Sequence, residues 1–291
     1  MDPNACCKGH NVQSESVEIR SGEYKLQGTH FRPKRGDPTA VIVLNGAAGV
    51  PASYYEPFAH WLCETKRFSC LIYDYRDFNI SSCDHARRSR ATMSDWGVHD
   101  QNAARAFTCS LYPDVPLWVI GHSLGAMCLP FQKNLDQIDR VIAVASGIVN
   151  VSDHPWPYQA LARFFWFGPV PLATWLMRFM PGKALRLGSN LPRGVYWQWR
   201  RWCTRRDFYA RDFGRELPFP DWLAIKAPAK FVAVSDDVMT PPSTVWRLMQ
   251  CFPEAPKTQT TLRPEDFDLI ELGHIGVFAE KSKAVWEEIV T

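Results

Sequence analysis

Three short stretches of the chain carry residue types that can do chemistry together. The first is Gly121-His122-Ser123-Leu124-Gly125, directly after the apolar run Leu117–Ile120. G-x-S-x-G between a strand and a helix makes a turn so sharp that its serine is held in strained φ/ψ, with Oγ aimed out of the sheet edge. Residues two before and two after must be small, a condition that Gly121 and Gly125 meet. A serine hydroxyl is a poor nucleophile until a base removes its proton. Of the eight histidines, His274 stands out in Leu272-Gly-His-Ile-Gly276, where two glycines allow a tight loop that carries the imidazole back over the sheet edge. His122 adjoins the serine, but such a turn points neighbouring side chains apart, so His122 is expected to pack under the loop. His10, His30, His60, His85, His99 and His154 have no comparable setting. The base needs an acid to hold its tautomer and stabilise the imidazolium. The run Lys230–Val234 ends in Ser235-Asp-Asp-Val-Met-Thr-Pro-Pro242, and a carboxylate just past a parallel strand points into the same crevice. Asp236 and Asp237 both satisfy that requirement.

The tetrahedral intermediate of acyl transfer needs two N–H donors. One is expected at Leu124, where a helix begins. The other is expected in Asn45-Gly-Ala-Ala-Gly49, whose small residues let backbone approach a substrate carbonyl. Ala47 and Leu124 are the expected pair. Gly46 and Gly49 do not make the G-x-G-x-x-G of a dinucleotide site. No H-E-x-x-H or clustered Cys/His spacing occurs, so no metal and no cofactor is expected.

Positioning these groups requires a sheet with crossover helices. Ser16–Arg20 and Tyr24–Arg32 alternate apolar and polar side chains like a half-exposed hairpin. Ala40–Leu44, Ser69–Tyr73, Leu117–Ile120, Val141–Val144, Lys230–Val234 and Thr258–Leu262 read as further strands, several of them continuous apolar runs buried on both faces. Helices are expected at about 53–66, 92–110 with Ser94 as N-cap, from 124, at 242–251, and as one amphipathic helix over 277–290. The fold class is α/β, a mostly parallel sheet of about eight strands flanked by helices. The alternation breaks at 151–225, so the domain reading is one catalytic domain, 1–150 with 226–291, carrying an inserted segment.

At 291 residues the chain fits one large domain, and 46% apolar with 22% charged residues excludes disordered, collagenous and coiled-coil classes. A net charge of +3 gives no reason to expect nucleic acid. The nine cysteines are odd in number, lack C-x-x-C and lie mostly in apolar runs, as reduced thiols in a cytoplasmic protein do. The N-terminus lacks the apolar core of a signal peptide, and Cys6–Cys7 lacks a lipidation context. No apolar run is long and unbroken enough to cross a membrane.

The set of motifs resembles the α/β-hydrolase superfamily over residues 16–291. It is also similar to a branch of bacterial hydrolases, through Asn45–Pro51 with Tyr54-Tyr55, Asp74-Tyr-Arg76, Asp95-Trp96, Leu191–Trp197 with Trp199–Cys203, and Gly273–Phe278. The resemblance implies a Ser-His-Asp hydrolase with Ser123 as nucleophile and His274 as base, in the chain order of that superfamily. It also selects the acid, which commonly lies four residues before a proline: Asp237, before Pro241. One departure is clear. Relatives usually read Asp-x-Arg-Gly-x-Gly-x-Ser, whereas Asp77 and Asn79 stand at the glycine positions here. Asp and Asn best tolerate left-handed backbone, so the turn can survive.

An insertion at this place in the superfamily is a cap over the active site. Here it holds seven of the twelve tryptophans, and eleven Lys/Arg against five Asp/Glu. Its rings suit either an apolar acyl or aryl pocket or the packing of cap onto domain, and Trp156, Trp166 and Trp197 are the candidate substrate contacts. Its basic residues suit an anionic substrate group or an internally paired face, and an aromatic, basic cap also fits contact with a membrane surface. Aminopeptidase action would need cap acids, and Glu216 is the only Glu there. The expected activity is hydrolysis of a small carboxylic ester or thioester with an apolar acyl part. The alternative is a catalytically idle scaffold that binds a lipid, ligand or protein through its cap.

Overall fold

The computed structural model describes residues 11–82, 84–185 and 188–291. Cys6, Cys7, His10 and Cys83 lie outside the described residues. An antiparallel hairpin, β1 (Val12–Ser21) and β2 (Tyr24–Pro33), leads into the sheet. It is followed by β3 (Val41–Asn45), β4 (Ser69–Tyr73), β5 (Leu117–His122) and β6 (Arg140–Val144). A two-stranded ribbon, β7 (Phe179–Met180) and β8 (Leu191–Pro192), lies apart, and β9 (Ala229–Val234) and β10 (Lys257–Leu262) complete the sheet. Eight strands pair in the order β1-β2-β4-β3-β5-β6-β9-β10, and all pairs from β4 onward are parallel. Every residue of β3, β4 and β9 is buried, as continuous apolar runs in a covered parallel sheet require. The pleat divides them between two cores, with Val41 and Val43 facing one and Ile42 and Leu44 the other.

Helix α1 (Glu56–Lys66) follows a 3₁₀ turn at Ala52–Tyr55, and α2 (Gln101–Leu111) follows a π-helical turn at Asp95–Asp100. Ser94 does not cap this second helix. Thr92 and Asp95 bond reciprocally, Asp95 N–H to Thr92 Oγ1 at 3.1 Å and Thr92 N–H to Asp95 Oδ2 at 2.9 Å. Helix α3 is the single turn Leu124–Met127 behind the serine. The helix expected over 277–290 is instead a 3₁₀ stretch, Glu280–Val285, ahead of a short α-helix, Trp286–Val290. The buried Trp286 Nε1–H donates to Val277 O at 3.1 Å. In one continuous helix those residues would lie about 13 Å apart along the axis, beyond side-chain reach.

Between β6 and β9 the chain forms α4 (Tyr158–Phe167), α5 (Pro169–Met177), the β7–β8 ribbon and α6 (Arg193–Cys203). This segment shares its apolar core with the sheet, since Trp166, Tyr196 and Trp202 join the cluster that holds Val41, Val43 and Trp96. Gln198 ties α6 to the start of the π turn, accepting from Ser94 N–H at 2.9 Å and donating to Ser94 Oγ at 2.6 Å. Asp77 (φ 55°) and Asn79 (φ 44°) both adopt positive φ, so the glycine-free turn keeps its shape through the two residue types that tolerate it.

Candidate active site

The turn after β5 is strained at its serine, with Ser123 at φ 54°, ψ −111°. Close packing beneath it dictates the glycines. A Cβ on Gly121 would meet Gly125 C at 2.4 Å, and one on Gly125 would meet Asn45 O at 2.1 Å. Ser123 N–H donates to Val144 O at 3.0 Å, which pins the turn to β6. The hydroxyl is therefore set at the carboxyl end of the central strands.

The loop before the short helix α7 (Gly273–Gly276) turns at Gly273, φ 60°, and brings His274 to that hydroxyl. His274 Nε2 lies 3.0 Å from Ser123 Oγ, and its Nδ1 lies 2.7 Å from Asp237 Oδ2. The two neighbouring aspartates divide the work. Asp237 is buried, and its other oxygen accepts from the N–H groups of Met239 and Thr240, each at 2.8 Å. Burial pushes its pKa up, but the charge and hydrogen bond of His274 and these two N–H groups outweigh that and hold it below the ordinary carboxylate value. Asp236 is exposed and clamps the histidine loop by its backbone, accepting from Leu272 N–H and Gly273 N–H, both at 2.9 Å. A line of groups ordered carboxylate, imidazole, hydroxyl can activate the hydroxyl for attack on a carbonyl.

The profile of the alpha/beta hydrolase family matches residues 41–288, nearly the whole chain. The chain belongs to the alpha/beta hydrolase family. No match was found among curated protein sequences. Among solved structures it is similar to an esterase of Pyrococcus furiosus (14% identity, 99% of this chain and 93% of that one, TM-score 0.58). It is also similar to an enol-lactonase of Burkholderia xenovorans (18% identity, 94% and 98%, TM-score 0.58) and a dienelactone hydrolase of Anabaena variabilis (11% identity, 96% and 94%, TM-score 0.56). At such identities these likenesses describe the fold.

In this alpha/beta hydrolase one of the two N–H groups expected to face an oxyanion meets Tyr55, a residue the sequence named only within the branch resemblance. Ala47 N–H donates to the Tyr55 hydroxyl at 2.8 Å and is thus already engaged. Leu124 N–H opens a helix, where backbone donors are left without helical partners. A recess of about 50 Å³ beside Ser123 is lined by Ala47, Ala48, Leu124 and His274. Beneath it runs a buried chain of hydrogen bonds. His122 Nε2 lies 2.9 Å from His274 O, a carbonyl that can only accept, so this nitrogen carries the proton. His122 Nδ1 is then an acceptor, and the Tyr55 hydroxyl donates to it at 2.8 Å. Burial, with the His274 charge next, pushes the His122 pKa down to about 3, so the ring is neutral at pH 7. His122 does pack under the loop, and it also links the Ala47 loop to the histidine loop. The sequence pairs Tyr54-Tyr55 with the Asn45–Pro51 loop as a motif, but spacing alone does not say that the Tyr55 hydroxyl turns back to Ala47.

Ser123 and His274 open into a cavity of about 650 Å³. Its wall is mainly apolar and includes Phe165, Trp166, Met180, Leu191, Trp199 and Phe208. Of the three tryptophans expected at substrate, Trp166 lines it, whereas Trp156 and Trp197 do not. Trp156 is 78% exposed, and Trp197 packs edge-on against Tyr196 and under Arg200. Neither periodicity nor composition says which way a ring in an irregular insertion will face. Among the described residues, no Lys, Arg, Asp or Glu lines the cavity. Two arginines of residues 151–225 are engaged in ion pairs: Arg201 with Asp212 at 2.9 Å and Glu216 at 2.6 Å, and Arg211 with Asp207 at 2.6 Å. His154 is a wall residue that the sequence passed over. Its Nδ1 lies 3.0 Å from Val238 O, next to Asp237, and burial lowers its pKa.

Proposed function

We propose that this alpha/beta hydrolase is a serine hydrolase that cleaves carboxylic esters or thioesters with an apolar acyl part. The observation that carries this reading is the unbroken line Asp237–His274–Ser123 at the floor of a large, mainly apolar cavity. Ser123 Oγ attacks the carbonyl while His274 Nε2 takes its proton, and Asp237 holds Nδ1–H toward itself. The tetrahedral oxyanion is held by Leu124 N–H and, because Ala47 N–H is engaged, by the next N–H of the same loop, that of Ala48. His274 returns the proton to the leaving oxygen or sulfur and then activates water to release the acyl group. Residues 151–225 serve as the cap, supplying most of the acyl wall through α4, α5 and α6.

The described wall, mainly apolar and rich in aromatic rings, favours an aliphatic or aryl acyl group, because a polar or charged group buried without a partner is costly. No described helix is long and apolar enough to cross a membrane. The six described cysteines are free thiols, which supports a reducing, cytoplasmic setting. The test is labelling with a fluorophosphonate probe. The protein should be labelled at Ser123 and Ser123→Ala should not, with turnover of p-nitrophenyl esters falling about 10⁴- to 10⁶-fold. Unlabelled, well-folded protein would instead favour the idle scaffold, and equal turnover by Ser123→Ala would overturn Ser123 as the nucleophile.

A further inference from the structure

The cap turns more apolar surface outward than a solvated helix pair explains. On α4, Leu161, Phe164 and Phe167 fall three residues apart and are each more than half exposed, while Ala162 and Trp166 face inward. On α5, Leu172, Trp175 and Leu176 are likewise more than half exposed, with Val170 and Thr174 buried. The two helices pack together across Gly168. Their outer faces thus form one continuous patch of large apolar side chains, with Trp156 also exposed at the head of α4. Contiguous patches of this kind mark a contact surface.

The charge of the segment that carries the patch is of one sign. From residue 154 to 206 the chain contains no Asp or Glu and nine Lys or Arg. Arg163 and Arg178 lie exposed on α4 and at the end of α5. Arg87 reaches the same end from another loop, donating to Met177 O at 3.2 Å, and Arg200 stacks over Phe167 at 5.1 Å. The one nearby acid on that loop, Asp84, is paired with Arg88 at 3.0 Å. A second copy docking cap to cap would set these arginines against their own kind. An anionic lipid headgroup layer complements them, while the rings and leucines enter the acyl region. The patch is also continuous with the cavity, because Leu161 and Phe164 are both exposed and part of its wall.

We propose that α4 and α5 dock the protein on an anionic lipid bilayer, with the cavity mouth at the lipid surface. The test is co-sedimentation of purified protein with vesicles of phosphatidylcholine alone or mixed with phosphatidylglycerol. The protein should bind the mixed vesicles, and binding should weaken as salt rises. Leu172→Glu/Trp175→Glu should reduce that binding at least about tenfold, because two anchors then carry charge opposed to the lipid. These two side chains do not line the cavity, so turnover of a water-soluble ester should stay as in the parent. Ser123→Ala should bind as the parent does, so docking is read independently of hydrolysis. Absence of binding to mixed vesicles, or equal binding by the glutamate variant, overturns the proposal. So does a vesicle-free dimer in sedimentation velocity that the glutamate variant dissociates, which would make a second copy the occupant.

Discussion

Replacing Tyr55 by phenylalanine removes one oxygen atom and leaves the ring. Tyr55 is 1% exposed, and its hydroxyl both accepts from Ala47 N–H and donates to His122 Nδ1, each at 2.8 Å. Ring packing against Tyr54, His122 and Phe278 is retained, so no large cavity forms. Two buried polar groups lose their partner in a single step. Each unsatisfied group costs about 1–3 kcal/mol, giving a loss of about 2–4 kcal/mol after partial relaxation. For a chain of this size about 3 kcal/mol lowers Tm by roughly 6–12 °C. The control is Tyr54→Phe. Its hydroxyl donates to Ile275 O at 2.8 Å but is only partly buried, so water can replace it and the cost should stay below about 1 kcal/mol. Thermal unfolding of both variants followed by circular dichroism decides the matter. A Tm drop below about 2 °C for Tyr55→Phe, or one equal to that of Tyr54→Phe, would refute the hydrogen-bond chain inferred for Ala47, Tyr55 and His122.

The two adjacent aspartates should separate by what they damage. Asp237→Asn should lower kcat by roughly 10³- to 10⁴-fold, since the amide no longer holds the imidazole tautomer. Asp236→Asn keeps one acceptor for the histidine loop and should cost less than about tenfold, measured as ester turnover; the reverse order would make Asp236 the acid. Stability should decline with acid. His122 has a folded pKa of about 3 against an ordinary 6.5, so between those values the unfolded chain binds a proton that the folded one refuses. The contribution is full above pH 6.5 and is lost as pH falls, at about 1.4 kcal/mol per pH unit. His30 and His154 shift in the same direction and steepen the decline. Chemical denaturation at pH 7 and pH 5 should show a shallower slope in His122→Gln, and an unchanged slope would count against a neutral, buried His122.

Much of the fold was legible because its signals are local. The eight strands of the sheet overlap the eight runs read as strands; the inner ones, such as β3, β4 and β9, are continuous apolar stretches because they are buried on both faces, whereas the edge strands β1 and β10 are largely exposed. The site's central residues were legible for a similar reason. A strained serine turn needs small residues at fixed offsets, and Gly121 and Gly125 show that need in the sequence itself. Local signals failed where a distant partner overrode them. Ser94 looked like a helix cap, yet its polar groups serve Gln198, more than a hundred residues away. The terminal segment is likewise not one helix, and its Trp286 Nε1–H donates to Val277 O, a contact a continuous helix could not make.

The amino-acid sequence alone determined that this chain folds as an α/β hydrolase and which serine and histidine its turns present. It also brought two aspartates forward without separating them by their own chemistry. The family resemblance pointed to Asp237, and the tertiary structure sets Asp237 against the imidazole and Asp236 against the loop backbone. Only the tertiary structure engaged Ala47 N–H with the Tyr55 hydroxyl, and decided that Trp166 faces the cavity while Trp156 faces outward. Residue type and spacing encode backbone needs that are met within a few residues. Which way a side chain points, and what it touches, depends on elements that meet only when the chain has closed around its core.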